Sequence, residues 1–143
     1  MKTTTRRKFI KSAALASAGF TILPSSAVLS KNQASKVRLG FIGVGLRGQN
    51  HLDLALKRDD VTVVAICDIQ QRMIDMSLKL VGSAGKTKPQ VILDGPYGYR
   101  KLLENKDIDA VIIATPWEWH TVQCLDAMNA GKYVGCEVIT GTT

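Results

Sequence analysis

The sequence predicts an α/β fold, a doubly wound parallel sheet with helices on both faces. Short apolar runs alternate with longer amphipathic stretches after residue 36, as in consecutive βαβ units. The runs at residues 61–67 and 111–114 are almost continuously apolar, which is typical of strands covered on both faces. The first run also leads directly into a glycine-rich junction at residues 43–48. At 143 residues, the chain is long enough for about one domain.

The elements follow one another without an internal repeat. The predicted strands are residues 37–43, 61–67, a weak strand at 91–93, 109–114 and 133–138. The predicted helices are residues 49–57, 70–80, 99–105 and 117–130. This alternation of strands and helices predicts one parallel sheet. The crossovers between its strands are expected to be right-handed.

The N-terminal residues differ in composition from the rest of the chain. Residues 1–27 hold five basic side chains and no acidic one, and they account for most of the net charge of +7. The other residues carry 14 basic and 12 acidic side chains. This near balance argues against a nucleic-acid-binding domain.

The same residues have the order of an export signal. A charged segment, "TTTRRKFIK", precedes an apolar segment, "SAALASAGFTIL", and then small residues, as in a cleavable signal peptide. The apolar segment is shorter than the ~20 residues of a membrane span, and a basic surface helix or an uncleaved anchor is the alternative. Arg6 and Arg7 resemble the twin-arginine signal, which is read by the twin-arginine export machinery. We therefore expect a signal peptide at 1–27, a polar linker at 28–36 and the folded domain at 37–143, in a periplasmic or exported protein.

The three cysteines fit neither a metal site nor a disulfide by their spacing. Cys67, Cys124 and Cys136 are far apart in sequence, and each lies in an apolar run. We interpret them as small buried hydrophobic residues and expect no metal site.

The first βα junction carries the chemistry. Gly43, Gly45 and Gly48 form a G-x-G-x-x-G pattern between a strand and a helix, the context in which this motif binds a dinucleotide. The first glycine permits a tight turn, the second a close approach to a pyrophosphate, and the third close helix packing. The phosphates would then lie at the helix N-terminus, which predicts a Rossmann-type sheet.

An acidic residue at the end of the second strand strengthens this interpretation. Asp68 lies twenty residues after Gly48, where a carboxylate accepts hydrogen bonds from the adenosine ribose. A carboxylate at that point favours NAD over NADP. Arg47 is a feature in favour of NADP, but it lies within the phosphate loop, and the alternatives are that it helps to hold the pyrophosphate or that it faces solvent.

The fourth strand ends in "ATPWEWH", residues 114–120. Thr115 at the N-cap, Pro116 at the first helical position and Glu118 at the third predict the start of a helix. For Glu118, capping and contact with a ligand remain alternatives.

Two tryptophans and a histidine follow the same turn. Trp117 and Trp119 are two residues apart, and such positions do not share a helix face. We therefore expect at least one of them to line a cleft at the carboxyl end of the sheet. His120 is either a packing residue or a hydrogen-bond donor to the nicotinamide ribose or the substrate.

These stretches together resemble a known family. "VRLGFIGVGLRGQNHL", "AICDI", "DAVIIATPWEWH" and "AMNAGKYVGCEV" are similar in order and spacing to the NAD-binding half of the Gfo/Idh/MocA oxidoreductase superfamily. Within it, they look most like glycoside hydrolase family 109, the NAD-dependent α-N-acetylgalactosaminidases. The resemblance covers residues 37–138.

The resemblance implies an unusual glycosidase with NAD as its cofactor. In that family the sugar is oxidised transiently at C3, the aglycone leaves by elimination, water adds, and the sugar is reduced again. Such a reaction needs no pair of carboxylates around the scissile bond. By matched position, the cofactor contacts would be Leu46 and Arg47, Asp68, Trp117, Glu118, Trp119 and His120, and Glu137 with Val138.

The pair Glu137 and Val138 separates branches of the superfamily. Its ordinary sugar dehydrogenases carry Glu-Lys-Pro there, with the lysine assisting proton transfer. Here Val138 replaces that lysine and Ile139 the proline, which agrees with the glycosidase branch. A carboxylate that ends an apolar run is costly to bury without a partner, so we expect Glu137 to face the cleft or a hydrogen-bonding group.

A member of this family would continue with the end of the nucleotide-binding domain and then with a larger substrate-binding α/β domain. We therefore expect the domain at 37–143 to be incomplete at its C-terminal end and the substrate-binding domain to be absent from this chain. The catalytic residues are therefore expected beyond Thr143, in that domain, together with a homo-oligomer contact. We expect this chain to be the NAD-binding part of an exported glycosidase with a small glycoside or sugar substrate. The alternatives are a periplasmic sugar or cyclitol dehydrogenase and a truncated NAD-binding module without catalysis.

Overall fold

The structure, a computed structural model, describes residues 35–138. The predicted signal peptide, nearly all of the predicted linker and the last residues of the predicted domain, from Ile139 to Thr143, lie outside the described residues. The described strands are β1 (Val37–Ile42), β2 (Val61–Cys67), β3 (Gln90–Ile92), β4 (Ala110–Ile113) and β5 (Tyr133–Cys136). The described helices are α1 (Leu46–Leu56), α2 (Gln71–Ser83), α3 (Tyr99–Glu104) and α4 (Trp117–Asn129).

The five strands form one sheet in the order β3-β2-β1-β4-β5. Every strand pair is parallel. The chain winds outward from β1 to β3, and then crosses back to the other side of β1 to form β4 and β5. The predicted α/β parallel sheet is therefore confirmed, and the winding reverses between β1 and β4, where such sheets bind their ligands.

The core has two parts, one on each face of the sheet. On one face, Phe41 packs with apolar side chains of α1 and α2, including Leu52 and Ile74. On the other face, Ile42 packs with side chains of α3 and α4, including Leu102. Adjacent residues of β1 thus pack on opposite faces of the sheet, because side chains alternate along a strand. The sheet is doubly wound, as predicted.

The bounds of two helices differ from the predicted ones by more than one residue. The first helix begins at Leu46 rather than at residue 49, with Gly45 as its N-cap. The sequence analysis missed this helix start, because glycine lowers the apparent helix propensity of the first turn. The second helix continues to Ser83 rather than ending at residue 80.

Over residues 35–138, no helix has the length and apolarity that a membrane span requires. In the same part of the chain, no three His, Cys, Asp or Glu side chains converge as metal ligands would.

Candidate functional site

A cleft of about 520 Å³ opens at the carboxyl ends of β1, β2 and β4. It is built from the glycine loop, the residues after β2, the turn before α3 and the start of α4. Its position is the place where the winding of the sheet reverses. The side chains that line the cleft include those of Arg47, Asp68, Tyr99, Thr115, Trp119 and Gln123.

The three loop glycines have the different roles that the motif predicts. Gly43 has a φ of 82°, a conformation that favours glycine, and its N–H donates to the Cys67 carbonyl oxygen at 2.8 Å. A Cβ on Gly48 would lie 2.2 Å from the Gly43 carbonyl oxygen, whereas a Cβ on Gly45 would meet no atom within 4 Å. The loop is therefore tight between Gly43 and Gly48 and open at Gly45.

The start of α1 is suited to an anion. Gly45 has no side chain to cap the helix, and the first turn contains no acidic residue. The first N–H groups of a helix lack intrahelical partners and carry the positive end of its dipole. This open N-terminus beside a glycine without contacts fits the pyrophosphate of a dinucleotide.

Asp68 joins the glycine loop to the end of β2. One carboxylate oxygen accepts the Val44 N–H at 2.8 Å, and the other accepts the Gln70 N–H at 2.9 Å. A carboxylate has about four acceptor positions, so this side chain retains capacity for ribose hydroxyls. Asp68 also lines the cleft, and its contact with the ribose stays a prediction.

A buried amide that the sequence analysis missed supports the same loop. The Gln49 Nε2 donates to the Val44 carbonyl oxygen at 3.0 Å, to the Met73 carbonyl oxygen at 3.1 Å and to the Ser77 hydroxyl at 3.1 Å. Gln49 is 9% exposed. Its amide therefore links the glycine loop to α2. These hydrogen-bond partners can be recognised only in the folded structure.

The "ATPWEWH" turn differs in detail from the prediction. Helix α4 begins at Trp117, Pro116 is its N-cap, and no side chain caps it. The predicted capping by Thr115 is therefore wrong: its hydroxyl donates to the Gln123 Oε1 at 2.6 Å instead. Glu118 is exposed in the first turn of the helix.

The aromatic residues of this turn separate into two environments. Trp119 lines the cleft, as expected for at least one of the pair, and its ring contacts Tyr97 edge-on with centroids 5.5 Å apart. Trp117 is 56% exposed and lies outside the cleft lining.

His120 is fully buried, with its Nε2 2.7 Å from the Thr115 carbonyl oxygen. This burial agrees with the interpretation of His120 as a packing residue, and its contact with the nicotinamide ribose or the substrate stays a prediction.

Glu137 follows β5 and reaches across to α1. Its Oε1 accepts the Arg47 Nη2 at 2.7 Å and lies 2.5 Å from the His51 Nε2. The hydrogen bond with His51, followed by that with Arg47, lowers the pKa of the Glu137 carboxyl. Glu137 thus has the polar partners that were expected for it, whereas Val138 is 76% exposed. The participation of His51 was not predicted, although its position four residues after Arg47 places both on one helix face.

The expectation that all three cysteines are buried is wrong for Cys124 and Cys136, which are only partly buried; Cys136 lies on β5, an edge strand of the sheet. Cys67 lies beneath the cleft, where burial raises its pKa to about 12. Cys124 and Cys136 are not far apart in the fold: both pack against the same core cluster, and burial together with the neighbouring Cys124 raises the pKa of Cys136 to about 12. All three are free thiols, and the two raised values indicate unreactive groups.

The fold, the glycine loop and the acid after β2 together define a dinucleotide-binding Rossmann domain. Residues 37–138 match the family model described as the oxidoreductase family, NAD-binding Rossmann fold, Gfo/Idh/MocA. The chain belongs to this family, and NAD is its cofactor.

Similar proteins carry two kinds of name. The chain is 43% identical over 140 residues to a glycosyl hydrolase family 109 protein of Stenotrophomonas maltophilia, covering 96% of this chain and 30% of the relative. It is 37% identical to a relative with the same name from Shewanella baltica, covering 93% of this chain and 33% of the relative. A solved structure of myo-inositol dehydrogenase from Lactobacillus casei, in complex with NAD(H) and myo-inositol, is 28% identical, with a TM-score of 0.64 over 76% of this chain and 30% of that one.

The chain thus spans about a third or less of the length of these proteins. The described residues end at Val138, so the catalytic residues that the sequence analysis expects beyond Thr143 stay a prediction. The cleft is a candidate cofactor site, and every residue assigned to it lies before Thr143.

Proposed function

We propose that this chain is the NAD-binding part of an exported glycosidase that acts on glycosides such as α-N-acetylgalactosaminides. The observation that supports the proposal best is the cleft itself, with an open helix N-terminus on one side and Asp68 on the other. The names of the curated relatives favour a glycosidase within the oxidoreductase family.

The proposed reaction is hydrolysis by transient oxidation of the sugar at C3, elimination of the aglycone, addition of water and re-reduction. Bound NAD+ would supply the hydride acceptor for C3 and return the hydride afterwards, so that none is consumed. The residues of this chain would bind and orient the cofactor. The catalytic acid and base are expected in the part of the protein that binds the sugar, beyond Thr143.

Each side of the cleft has a separate task in this proposal. The N-terminal turn of α1 and Arg47 would hold the pyrophosphate. Asp68 would accept the adenosine ribose hydroxyls. Trp119 would form the apolar wall beside the nicotinamide half. Val138 offers no proton-transferring group, which favours a reaction whose acid and base lie elsewhere.

The test is a comparison of glycoside cleavage with NADH formation by the full-length gene product. We expect release of p-nitrophenol from p-nitrophenyl α-N-acetylgalactosaminide, dependence on added NAD+, and no net NADH absorbance. Asp68→Ala should reduce both NAD affinity and cleavage. A full-length protein that binds NAD but cleaves no glycoside would contradict the proposal.

A dehydrogenase is the second candidate, because solved relatives with this fold are named inositol dehydrogenases. It predicts the opposite result: stoichiometric NADH from a free sugar or cyclitol, without glycoside cleavage. A chain that binds NAD and does neither would be the truncated module.

Export is a further part of the proposal and rests on residues 1–27. Replacing Arg6 and Arg7 together by lysine keeps the charge and removes the guanidinium pair that the twin-arginine receptor reads. We expect the double variant to remain in the cytoplasmic fraction and a matched Lys2→Arg, Lys8→Arg variant to be exported. Export of both variants would contradict this route.

A further inference from the structure

The cluster of Arg47, His51 and Glu137 lies beside the cleft, and only one of its members lines it. Arg47 is among the lining side chains, whereas His51 and Glu137 are not. The three side chains are 66%, 32% and 16% exposed, in that order. Exposure thus decreases from the cleft toward the carboxylate that both Arg47 and His51 contact.

An exposed arginine is not held in one direction by a single ion pair. Exposed pairs gain little in water, because screening and the rotamer entropy of two long side chains oppose them. Glu137 would therefore orient Arg47 well only if the carboxylate were itself fixed. Its backbone is fixed, because the Glu137 N–H donates to the Ile113 carbonyl oxygen at 3.0 Å in continuation of the sheet.

His51 supplies the second restraint, on the side chain. Its Nε2 contacts the same Oε1 that accepts the Arg47 guanidinium. A hydrogen bond to an ionised group is stronger than one between neutral groups. Because Arg47 and His51 lie one turn apart on α1, they hold the carboxylate from two positions on one rigid element.

We propose that His51 is a positioning residue for the NAD cofactor: it fixes the Glu137 carboxylate and, through it, the direction of the Arg47 guanidinium at the phosphate loop. His51 itself would not touch the cofactor. Without His51, the Glu137 side chain regains rotational freedom. The Arg47 side chain must then be ordered each time NAD binds, which lowers the affinity for NAD.

The experiment is a double-mutant cycle on NAD+ affinity, measured by calorimetry on the full-length protein. His51→Ala is expected to weaken binding roughly fivefold, the scale of one partly screened hydrogen bond to a charge. His51→Gln, whose amide can donate from a similar position, should restore most of the affinity. In an Arg47→Ala background, His51→Ala should cause no further loss, because its effect passes through that arginine.

Two controls separate positioning from a general effect on stability. Lys57→Ala removes an exposed ion pair with Asp53 at the far end of α1, and it should leave NAD+ affinity unchanged. Glu137→Gln keeps the shape of the side chain and removes its charge, and it should weaken binding about as much as His51→Ala.

Three results would overturn the proposal. The first is a His51→Ala protein that binds NAD+ as tightly as the wild type. The second is a loss that persists undiminished in the Arg47→Ala background, which would mean that His51 acts by another route. The third is full affinity in Glu137→Gln, which tests the same link if the His51→Ala protein fails to fold. A wild type that binds no NAD+ would be a failure of the cofactor assignment instead.

Discussion

Replacing Gly48 by alanine should disrupt the phosphate loop from within the protein, before any cofactor binds. The added Cβ would lie 2.2 Å from the Gly43 carbonyl oxygen and 3.0 Å from the Gly43 carbonyl carbon. An ordinary contact begins at 3.4 Å, so the helix and the loop would have to separate by about 1.2 Å. Both sides are backbone, and no rotamer change relieves the contact. We expect the free energy of unfolding to fall by about 3 kcal/mol, the upper part of the range for overpacking.

Gly45→Ala should produce the opposite pattern. Its φ of −66° suits any residue, and its Cβ would meet no atom within 4 Å. Stability should therefore change by less than about 1 kcal/mol, because alanine restricts the unfolded chain but is a poorer N-cap than glycine. The Cβ would, however, occupy space through which the pyrophosphate approaches the backbone. Because the contact between this Cβ and the pyrophosphate would be strained, as in an overpacked core, we expect NAD+ affinity to fall on the order of tenfold or more.

The assay compares unfolding of the apo protein with NAD+ titration for each variant. Gly82→Ala is the matched control, because that glycine lies in α2 and its Cβ would also meet no atom within 4 Å. This control should gain about 0.5–1 kcal/mol, the usual difference between glycine and alanine in a helix. A Gly48→Ala protein as stable as the wild type, or a Gly45→Ala protein with full NAD+ affinity, would refute the reasoning.

Three substitutions of polar side chains test individual hydrogen bonds of the fold. The Arg38 guanidinium lowers the pKa of Asp109 to about 2, so its contribution to stability is present above pH 4 and is lost as pH falls toward 2. Asp109→Asn should therefore be less stable at neutral pH and lose less stability than the wild type between pH 4 and 2, measured by unfolding at each pH. Tyr99→Phe removes the hydroxyl that donates to Asp126 at 2.7 Å and should cost about 1 kcal/mol in chemical unfolding. Gln49→Leu leaves buried partners unsatisfied and should cost about 1–3 kcal/mol, together with a loss of NAD+ affinity in titration.

The fold could be predicted from the sequence because the patterns that specify it lie within short stretches of the chain. The apolar runs, the glycines and the spacing from Gly48 to Asp68 are visible in the sequence alone, and a parallel sheet of alternating elements follows from them. The partners of polar side chains were not predictable in this way. Thr115 has the sequence context of an N-cap, yet its hydroxyl donates to the Gln123 side chain, eight residues later in α4. Glu137 and His51 are 86 residues apart in sequence, and only the assembled sheet brings them together.

The direction of Arg47 bears on the choice between NAD and NADP. In the sheet order, β2 and β5 lie on opposite sides of β1, and the Arg47 guanidinium is paired with Glu137 on the β5 side. The adenosine ribose is expected on the β2 side, at Asp68, where a 2′-phosphate would face a carboxylate. Arg47 is also the only basic residue among those that line the described cleft.

Like charges placed together cost affinity, so NADP+ should bind on the order of tenfold or more weaker than NAD+. The difference should narrow in Asp68→Asn, where the repulsion is removed and the shape is kept. Both dissociation constants are measured by titration at two salt concentrations, because screening weakens charge repulsion at exposed sites. Equal affinities in the wild type, or a difference that Asp68→Asn leaves unchanged, would mean that Asp68 does not select the cofactor and that the arginine in the loop is free to serve either one.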